Sequence, residues 1–219
     1  SFKSSMMRVL GSDYKIMHKS FVVGVPTEWL PEWVKNDTED LMDANLGAWI
    51  KPEFQDMTYF RGIDFHQDLI DYKSRLSDFI TLYVYLDNVD MKMSPLMIIP
   101  KSHVFGATKF PHDLKIELDT KNCLYSDTRG NTTNLNYKFL TGNSGQVYFW
   151  SALTLHGTQA QMANKSRISL RYLIERSKTS GEFLIDKFNE SINFDLSLDT
   201  TRDFPEGVSK PTHGKMLKH

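Results

Sequence analysis

Three short segments carry side chains whose types and spacing suit metal chemistry: His66-Gln67-Asp68, His156-Gly157-Thr158 and Arg167-Ile168-Ser169. Two imidazoles and one carboxylate are the ligand set of a mononuclear iron(II) centre, and they leave other coordination positions open for a co-substrate and dioxygen. A guanidinium downstream suits a carboxylate, because its N–H groups form a bidentate fork. The set therefore predicts an oxygenase centre that also holds a keto-acid.

Strand geometry explains how the first two ligands converge. Residues i and i+2 of a strand point to the same face, so His66 and Asp68 project together while Gln67 faces away. The third ligand must come from a strand distant in sequence. His156 lies ninety residues after His66, just beyond a predicted strand at residues 146–150.

The keto-acid ligand is expected on the next strand, predicted at residues 166–174. Arg167 follows His156 by eleven residues, which leaves room for a turn and a return onto a neighbouring strand. Ser169 shares the face of Arg167, so both side chains can bind one carboxylate.

Runs of β-branched and aromatic residues between turn-forming residues predict a mainly β chain. Predicted strands cover residues 14–25, 78–86, 96–99, 146–150 and 166–174. A helix is expected to begin at Glu28, with Pro31 near its start, and a second short helix to be capped by Asp37 or Thr38. Many short strands indicate a barrel or jelly roll, with flanking helices near the N-terminus.

Composition predicts one domain over residues 1–219, because 219 residues that are 40% hydrophobic can bury one substantial core. The barrel core is expected at about residues 51–175, after an N-terminal strand and helices in 1–50 and before a C-terminal extension in 176–219. The oligomeric state is not predictable from this composition.

Charge and cysteine content narrow the classes of partner. A net charge of −1 gives no basic excess for nucleic acid. The apolar runs are far shorter than the ~20 residues that a membrane span requires. Cys123 is the only cysteine, so no internal disulfide can form and a cytoplasmic location is expected.

Each candidate residue also has an ordinary structural explanation, which taken singly is the commoner one. A His-x-Asp triplet arises often by chance. His156 could be a polar loop residue, and Arg167 could form a surface ion pair. Other histidines compete as ligands: His18, His103, His112, His213 and His219. The order and spacing of the three segments on predicted strands favour the metal site.

Five segments together resemble the phytanoyl-CoA dioxygenase family of Fe(II)/2-oxoglutarate oxygenases: residues 62–68, 96–103 and 145–150, His156-Gly157-Thr158, and Arg167. The resemblance covers roughly residues 10–175. It implies a double-stranded β-helix (a cupin-like barrel) and iron bound by His66, Asp68 and His156. It also implies that Arg167, with Thr158 or Ser169, holds the distal carboxylate of 2-oxoglutarate.

Enzymes that the chain resembles hydroxylate small molecules at unactivated C–H bonds, and some catalyse desaturation, ring formation or epimerisation instead. Halogenating relatives have a small residue in place of the carboxylate ligand, so Asp68 favours hydroxylation. The chain departs from the common pattern at Met93-Ser94-Pro95 and at Gln146. These positions bear on loop geometry and substrate more than on iron.

The substrate is expected to be a small polar metabolite bound beside the iron. Candidate contacts are Tyr59, Gln67, Tyr72, Lys101, His103, Trp150 and Arg171, with Phe60 and Phe65 as further cavity-lining aromatics. For any one aromatic residue, ordinary core packing is the commoner role. Arg171 could bind an anionic substrate group or form a structural ion pair.

Two other classes of protein fit part of the pattern. A cupin-like metal-dependent enzyme or binding protein that does not use 2-oxoglutarate would keep the His and Asp ligands without needing Arg167. A catalytically silent barrel would tolerate the loss of a ligand, and all three ligands are present.

Overall fold

The computed structural model describes residues 2–39, 43–68, 79–105, 113–117, 119–126 and 132–175. Two α-helices lie near the N-terminus, α1 (Phe2–Leu10) and α2 (Glu32–Thr38). Short 3-10 turns occupy Thr27–Trp29, Gly47–Trp49, Pro52–Phe54 and Ser102–Phe105. No helix in these ranges is both long and apolar enough to cross a membrane.

Strands are the predominant regular structure of the described chain, which confirms the predicted mainly β architecture. The first six are β1 (Lys15–Gly24), β2 (Asp43–Asn45), β3 (Thr58–His66), β4 (Phe79–Tyr85), β5 (Leu96–Ile98) and β6 (Asp113–Glu117). The other six are β7 (Asn122–Ser126), β8 (Thr132–Asn136), β9 (Lys138–Leu140), β10 (Val147–Ser151), β11 (His156–Thr158) and β12 (Arg167–Glu175).

Most of these strands belong to one mixed sheet that curls into a half-barrel. Its order is β10-β4-β12-β1-β3-β11-β5-β9, with β2 beside β3. Strands β1 and β3 run parallel, and the other neighbouring strands of this sheet run antiparallel. Strands β6, β7 and β8 form a separate antiparallel sheet. Because β3 lies between β1 and β11, it joins the two halves of the curled sheet.

Alternation along β12 shows how the sheet divides its two faces. Arg167, Ser169 and Leu173 are buried on the concave side, whereas Ile168 is exposed on the convex side. Val22, Phe60 and Tyr83 pack together on the concave side. The chemistry-bearing side chains of β12 therefore lie inside the half-barrel, as the alternation in the sequence predicts.

Helix α1 covers part of the convex side. Met6 and Leu10 pack on Ile80, Leu82 and Ile174. Burying such a side chain stabilises the fold by roughly 1.5–3 kcal/mol. The helix therefore adds a second layer over β4 and β12.

Helix boundaries near residue 30 differ from the prediction. Thr27–Trp29 is a 3-10 turn, and α2 begins only after Pro31, whose φ of −57° suits a position just before a helix. Thr38 is the last residue of α2 and does not cap a second helix, because its hydroxyl donates to the carbonyl of Val34 within α2. The predicted C-terminal extension at residues 176–219 lies outside the described residues.

Candidate metal centre

His66, Asp68 and His156 form the group of possible metal ligands within the described chain. His66 is the last residue of β3, and His156 is the first residue of β11. The two residues lie opposite each other in the antiparallel pair of β3 and β11. Their ring centroids lie 4.3 Å apart. One ligand atom from each of the three side chains lies within 4.8 Å of the others. Strand pairing thus brings together ligands that are ninety residues apart in sequence.

A backbone contact orients the His156 ring. Its Nδ1 lies 2.9 Å from the carbonyl oxygen of Thr154, which can only accept a hydrogen bond. Nδ1 therefore donates to that carbonyl, and Nε2 lies 3.6 Å from Oδ2 of Asp68. This is the usual second-sphere arrangement of a metal-binding histidine.

The Asp68 carboxylate is buried and held by three side chains. Thr81 Oγ1 and Trp150 Nε1 donate to Oδ2, the latter at 3.3 Å. Nη1 of Arg171 lies 3.8 Å from Oδ1. Burial acts to raise the pKa of Asp68, but the charges of the nearby histidines and of Arg171 hold it well below its usual range. Asp68 is therefore an anion at neutral pH, as a metal ligand must be.

Arg167 is the largest of the fully buried side chains. Its guanidinium carbon lies 5.3 to 5.9 Å from the rings of Phe60, Tyr83 and Tyr85. Within the described part of the chain, none of its three nitrogens has a hydrogen-bond partner, and neither does the buried hydroxyl of Ser169. A buried unpaired cation is costly unless an anion joins it. Arg167 and Ser169 therefore form a site that fits a carboxylate.

A cavity of about 390 Å³, its open mouth included, lies beside the metal ligands. His66, His156, Thr158, Trp150 and Arg171 line it, together with apolar groups that include Phe60 and Leu96. Thr158 is also tied to the sheet, because its hydroxyl accepts a hydrogen bond from the amide of Ile63 at 3.2 Å. The cavity gives space for a ligand beside the two histidines of the triad and Arg171 of β12, whereas Asp68, Arg167 and Ser169 do not line it.

Four of the proposed substrate contacts do not line this cavity. Tyr59 precedes the cavity-lining Phe60 on β3 and therefore points to the opposite face of the strand. Its hydroxyl donates a hydrogen bond to the sulfur of Met57. Gln67 is buried and donates to the carbonyl of Leu153 at 2.7 Å. Lys101 is exposed and His103 is half-buried in the turn after β5, where burial lowers the pKa of His103.

Two further expectations differ in outcome. Phe65 packs with Tyr137 in a separate core cluster, so it is a packing residue. Tyr72 and His112 lie outside the described residues.

Sequence reasoning missed the hydroxyl groups on strands β1 and β4. Thr81 is buried in the middle of an apolar strand and holds Asp68, while Ser20 and Tyr83 turn buried hydroxyls to the concave side. A lone hydroxyl residue within a hydrophobic strand was the available signal, since buried polar groups need a partner.

Comparison with protein families gives a match over more than half of the chain. The family model described as phytanoyl-CoA dioxygenase (PhyH) matches residues 34–169. No curated protein sequence matches the chain.

Similar solved structures share the fold at low sequence identity. The carbocyclase SnoK from nogalamycin biosynthesis, described as non-heme and α-ketoglutarate-dependent, is 13% identical with a TM-score of 0.51, over 80% of this chain and 55% of its own. The epimerase SnoN, in complex with Fe³⁺, α-ketoglutarate and nogalamycin RO, is 14% identical with a TM-score of 0.50, over 80% and 55%. The apo non-heme monooxygenase ThoJ is 11% identical with a TM-score of 0.50, over 80% and 51%. The chain spans about half the length of these structures.

Proposed function

The chain belongs to the phytanoyl-CoA dioxygenase family, and on this premise we propose that it is an oxygenase that hydroxylates a small polar metabolite at an unactivated C–H bond. Enzymes of this family use iron(II) and 2-oxoglutarate. The co-products would be succinate and carbon dioxide. The proposed ligands are His66, Asp68 and His156 for iron, and Arg167 with Ser169 for the distal carboxylate of 2-oxoglutarate.

The unpaired guanidinium of Arg167 is the observation that carries this proposal. A metal triad alone is equally compatible with a cupin-like enzyme that does not use 2-oxoglutarate. Such an enzyme has no need for a fully buried arginine whose three nitrogens lack partners. A dicarboxylate that reaches from the metal to Arg167 and Ser169 would supply the missing acceptor.

Each residue of the site has a separate task in the proposed reaction. Iron(II) and 2-oxoglutarate, when both are bound, would activate dioxygen, which is the oxidant of the proposed reaction. Thr81 and Trp150 hold Asp68 in one orientation, and the Thr154 carbonyl fixes His156. Val22, Phe60 and Leu96 line the cavity with apolar surface, which excludes water from the reacting atoms.

Hydroxylation is the proposed outcome because Asp68 occupies the carboxylate position of the triad. The similar structures include an epimerase, a carbocyclase and a monooxygenase. A shared fold therefore does not determine the reaction, which depends on how the substrate lies in the cavity.

Release of succinate from 2-oxoglutarate tests the proposal. We expect release that requires both iron(II) and dioxygen, that increases when a library of small polar metabolites is supplied, and that disappears in Asp68→Ala. Arg8→Gln alters an exposed arginine of α1 and should release succinate like the wild type. Activity that needs the metal but consumes no 2-oxoglutarate would support the cupin-like alternative instead.

A further inference from the structure

A second arginine lies on the same face of β12 as Arg167. Arg171 is four residues further along, which at ~3.3 Å per residue separates the two Cα atoms by about 13 Å. Unlike Arg167, Arg171 lines the cavity together with His66 and His156. The two guanidinium groups therefore serve different parts of the interior.

Unpartnered hydroxyls flank Arg171 on both neighbouring strands. In the sheet register, Ser20 of β1 and Tyr83 of β4 lie opposite Arg171. Directly opposed residues have their Cβ atoms roughly 5 Å apart. Among the described residues, Ser20 Oγ, Tyr83 Oη and Arg171 Nε are all buried and without a hydrogen-bond partner. Ser20 and Tyr83 thus flank Arg171 in the sheet, and of the three residues Tyr83 and Arg171 line the cavity.

Asp68 does not satisfy this group of donors. The distance of 3.8 Å between Nη1 of Arg171 and Oδ1 of Asp68 exceeds hydrogen-bond length. Oδ2 already accepts from Thr81 and Trp150, and the carboxylate is the proposed iron ligand. A guanidinium has five N–H donors, so most of the capacity of Arg171 remains open.

Charge balance gives the sign of the missing partner, and this step rests on the proposed function. Iron(II), Arg167 and Arg171 together carry four positive charges, and Asp68 balances one of them. Bound 2-oxoglutarate balances two more, which leaves one positive charge. Of the residues that the structure describes, those that line the cavity include no aspartate or glutamate. An uncompensated charge in a partly buried site favours a ligand of opposite sign.

We propose that Arg171, with Ser20 and Tyr83, binds an anionic group of the prime substrate, and that the substrate is a small monocarboxylate. A single excess positive charge matches a carboxylate better than a phosphate monoester, which carries nearly two negative charges. The planar fork of the guanidinium also matches a carboxylate. Arg171 is then a specificity-determining residue, distinct from the 2-oxoglutarate ligand Arg167.

Anaerobic calorimetry with matched ligands tests this assignment. The protein is loaded with iron(II) and saturating 2-oxoglutarate, so that the site at Arg167 is filled. It is then titrated with straight-chain monocarboxylates and, separately, with their primary amides, which have the same shape without the charge. We expect the acids to bind at least tenfold more tightly than the amides, as a charged hydrogen-bonded pair implies.

Variants of Arg171 separate substrate binding from support of Asp68. Arg171→Gln should bring acid and amide within twofold of each other, and Arg171→Lys should keep part of the preference because it keeps the charge. Arg8→Gln should retain the full preference. Acid and amide that bind equally to the wild type, including failure of both to bind, would overturn the proposal. An unchanged preference for the acid in Arg171→Gln would also overturn the proposal. If that variant also bound iron more weakly, Arg171 would have only a positioning role toward Asp68.

Failure of the proposed function has a different signature in the same instrument. It would appear as no heat of 2-oxoglutarate binding to the iron-loaded wild type. The acid and amide titrations are then carried out without 2-oxoglutarate, and the same two ratios decide the role of Arg171.

Discussion

Replacing Arg167 by methionine should stabilise the ligand-free protein while it removes 2-oxoglutarate binding. The guanidinium is 0% exposed and has no hydrogen-bond partner, so its desolvation costs several kcal/mol. Contacts with the rings of Phe60, Tyr83 and Tyr85 return part of this cost, at about 0.5–2 kcal/mol each. Methionine is flexible and apolar, and it fills much of the same volume.

The net gain in unfolding free energy is expected to be about 1–3 kcal/mol. For a domain of this size that raises Tm by about 2–12 °C. Loss of the charged fork should weaken 2-oxoglutarate binding by about 2–5 kcal/mol, or roughly 30-fold or more. Denaturant titration of the metal-free protein and calorimetry of the iron-loaded protein measure the two effects, with Arg8→Met as the control at an exposed arginine.

The prediction requires that Arg167→Met both raise the unfolding free energy and weaken the binding of 2-oxoglutarate. A variant that is destabilised by more than about 1 kcal/mol would mean that Arg167 is a structural residue whose partners stabilise the fold. A variant that still binds 2-oxoglutarate within fivefold of the wild type would mean that the carboxylate lies elsewhere. Either result would refute the assignment of Arg167.

Three further predictions concern buried groups of the protein. Thr81→Val should lower iron(II) affinity about 10- to 100-fold in a metal-binding titration, because Asp68 loses a donor, whereas Thr133→Val on the exposed strand β8 should leave it unchanged. Because the folded-state pKa of Asp68 is lowered, its contribution to stability is complete above its unfolded pKa of about 3.9 and is lost as pH falls below it toward the lower folded value. The difference in unfolding free energy between wild type and Asp68→Asn should therefore decline as pH falls from about 5 to about 2, and a difference that stays constant over that range would contradict the charge environment. Burial raises the pKa of Cys123 to about 11, so its thiol should resist alkylation at neutral pH until the protein is unfolded. Rapid labelling of the native protein would contradict the burial of Cys123.

The positions of β1, β4, β5, β10 and β12 could be predicted from the sequence because they depend on local pattern, whereas β2 and β6 to β9 were not predicted. The alternation over residues 166–174 assigned Arg167 and Ser169 to one face, and β12 has them buried together. Helix α1 was not predicted, because its stability comes from packing on β4 and β12. The sequence of a nine-residue segment does not show such packing.

Pairing between distant strands is the information that the sequence lacks. His66 and Asp68 were predictable as neighbours because they are two residues apart, but the strand geometry that was expected to align them does not apply, since β3 ends at His66 and Asp68 lies in the following turn. The roles of Thr81 and Ser20 depend on register, since a shift of one residue would turn either side chain to the other face. Tyr59, Lys101 and His103 were predicted substrate contacts by proximity in sequence, yet none lines the cavity. Direction of the side chain and the course of the loop decide such contacts, and neither follows from spacing alone.

Anaerobic addition of 2-oxoglutarate to the iron(II)-loaded protein tests the central claim most directly. Chelation of iron by the keto-acid should produce a visible charge-transfer band that saturates at one 2-oxoglutarate per iron. The band should require far more 2-oxoglutarate in Arg167→Gln, while iron remains bound to His66, Asp68 and His156. A folded, iron-loaded wild type that develops no band with 2-oxoglutarate would contradict the assignment of this chain as a 2-oxoglutarate-dependent oxygenase.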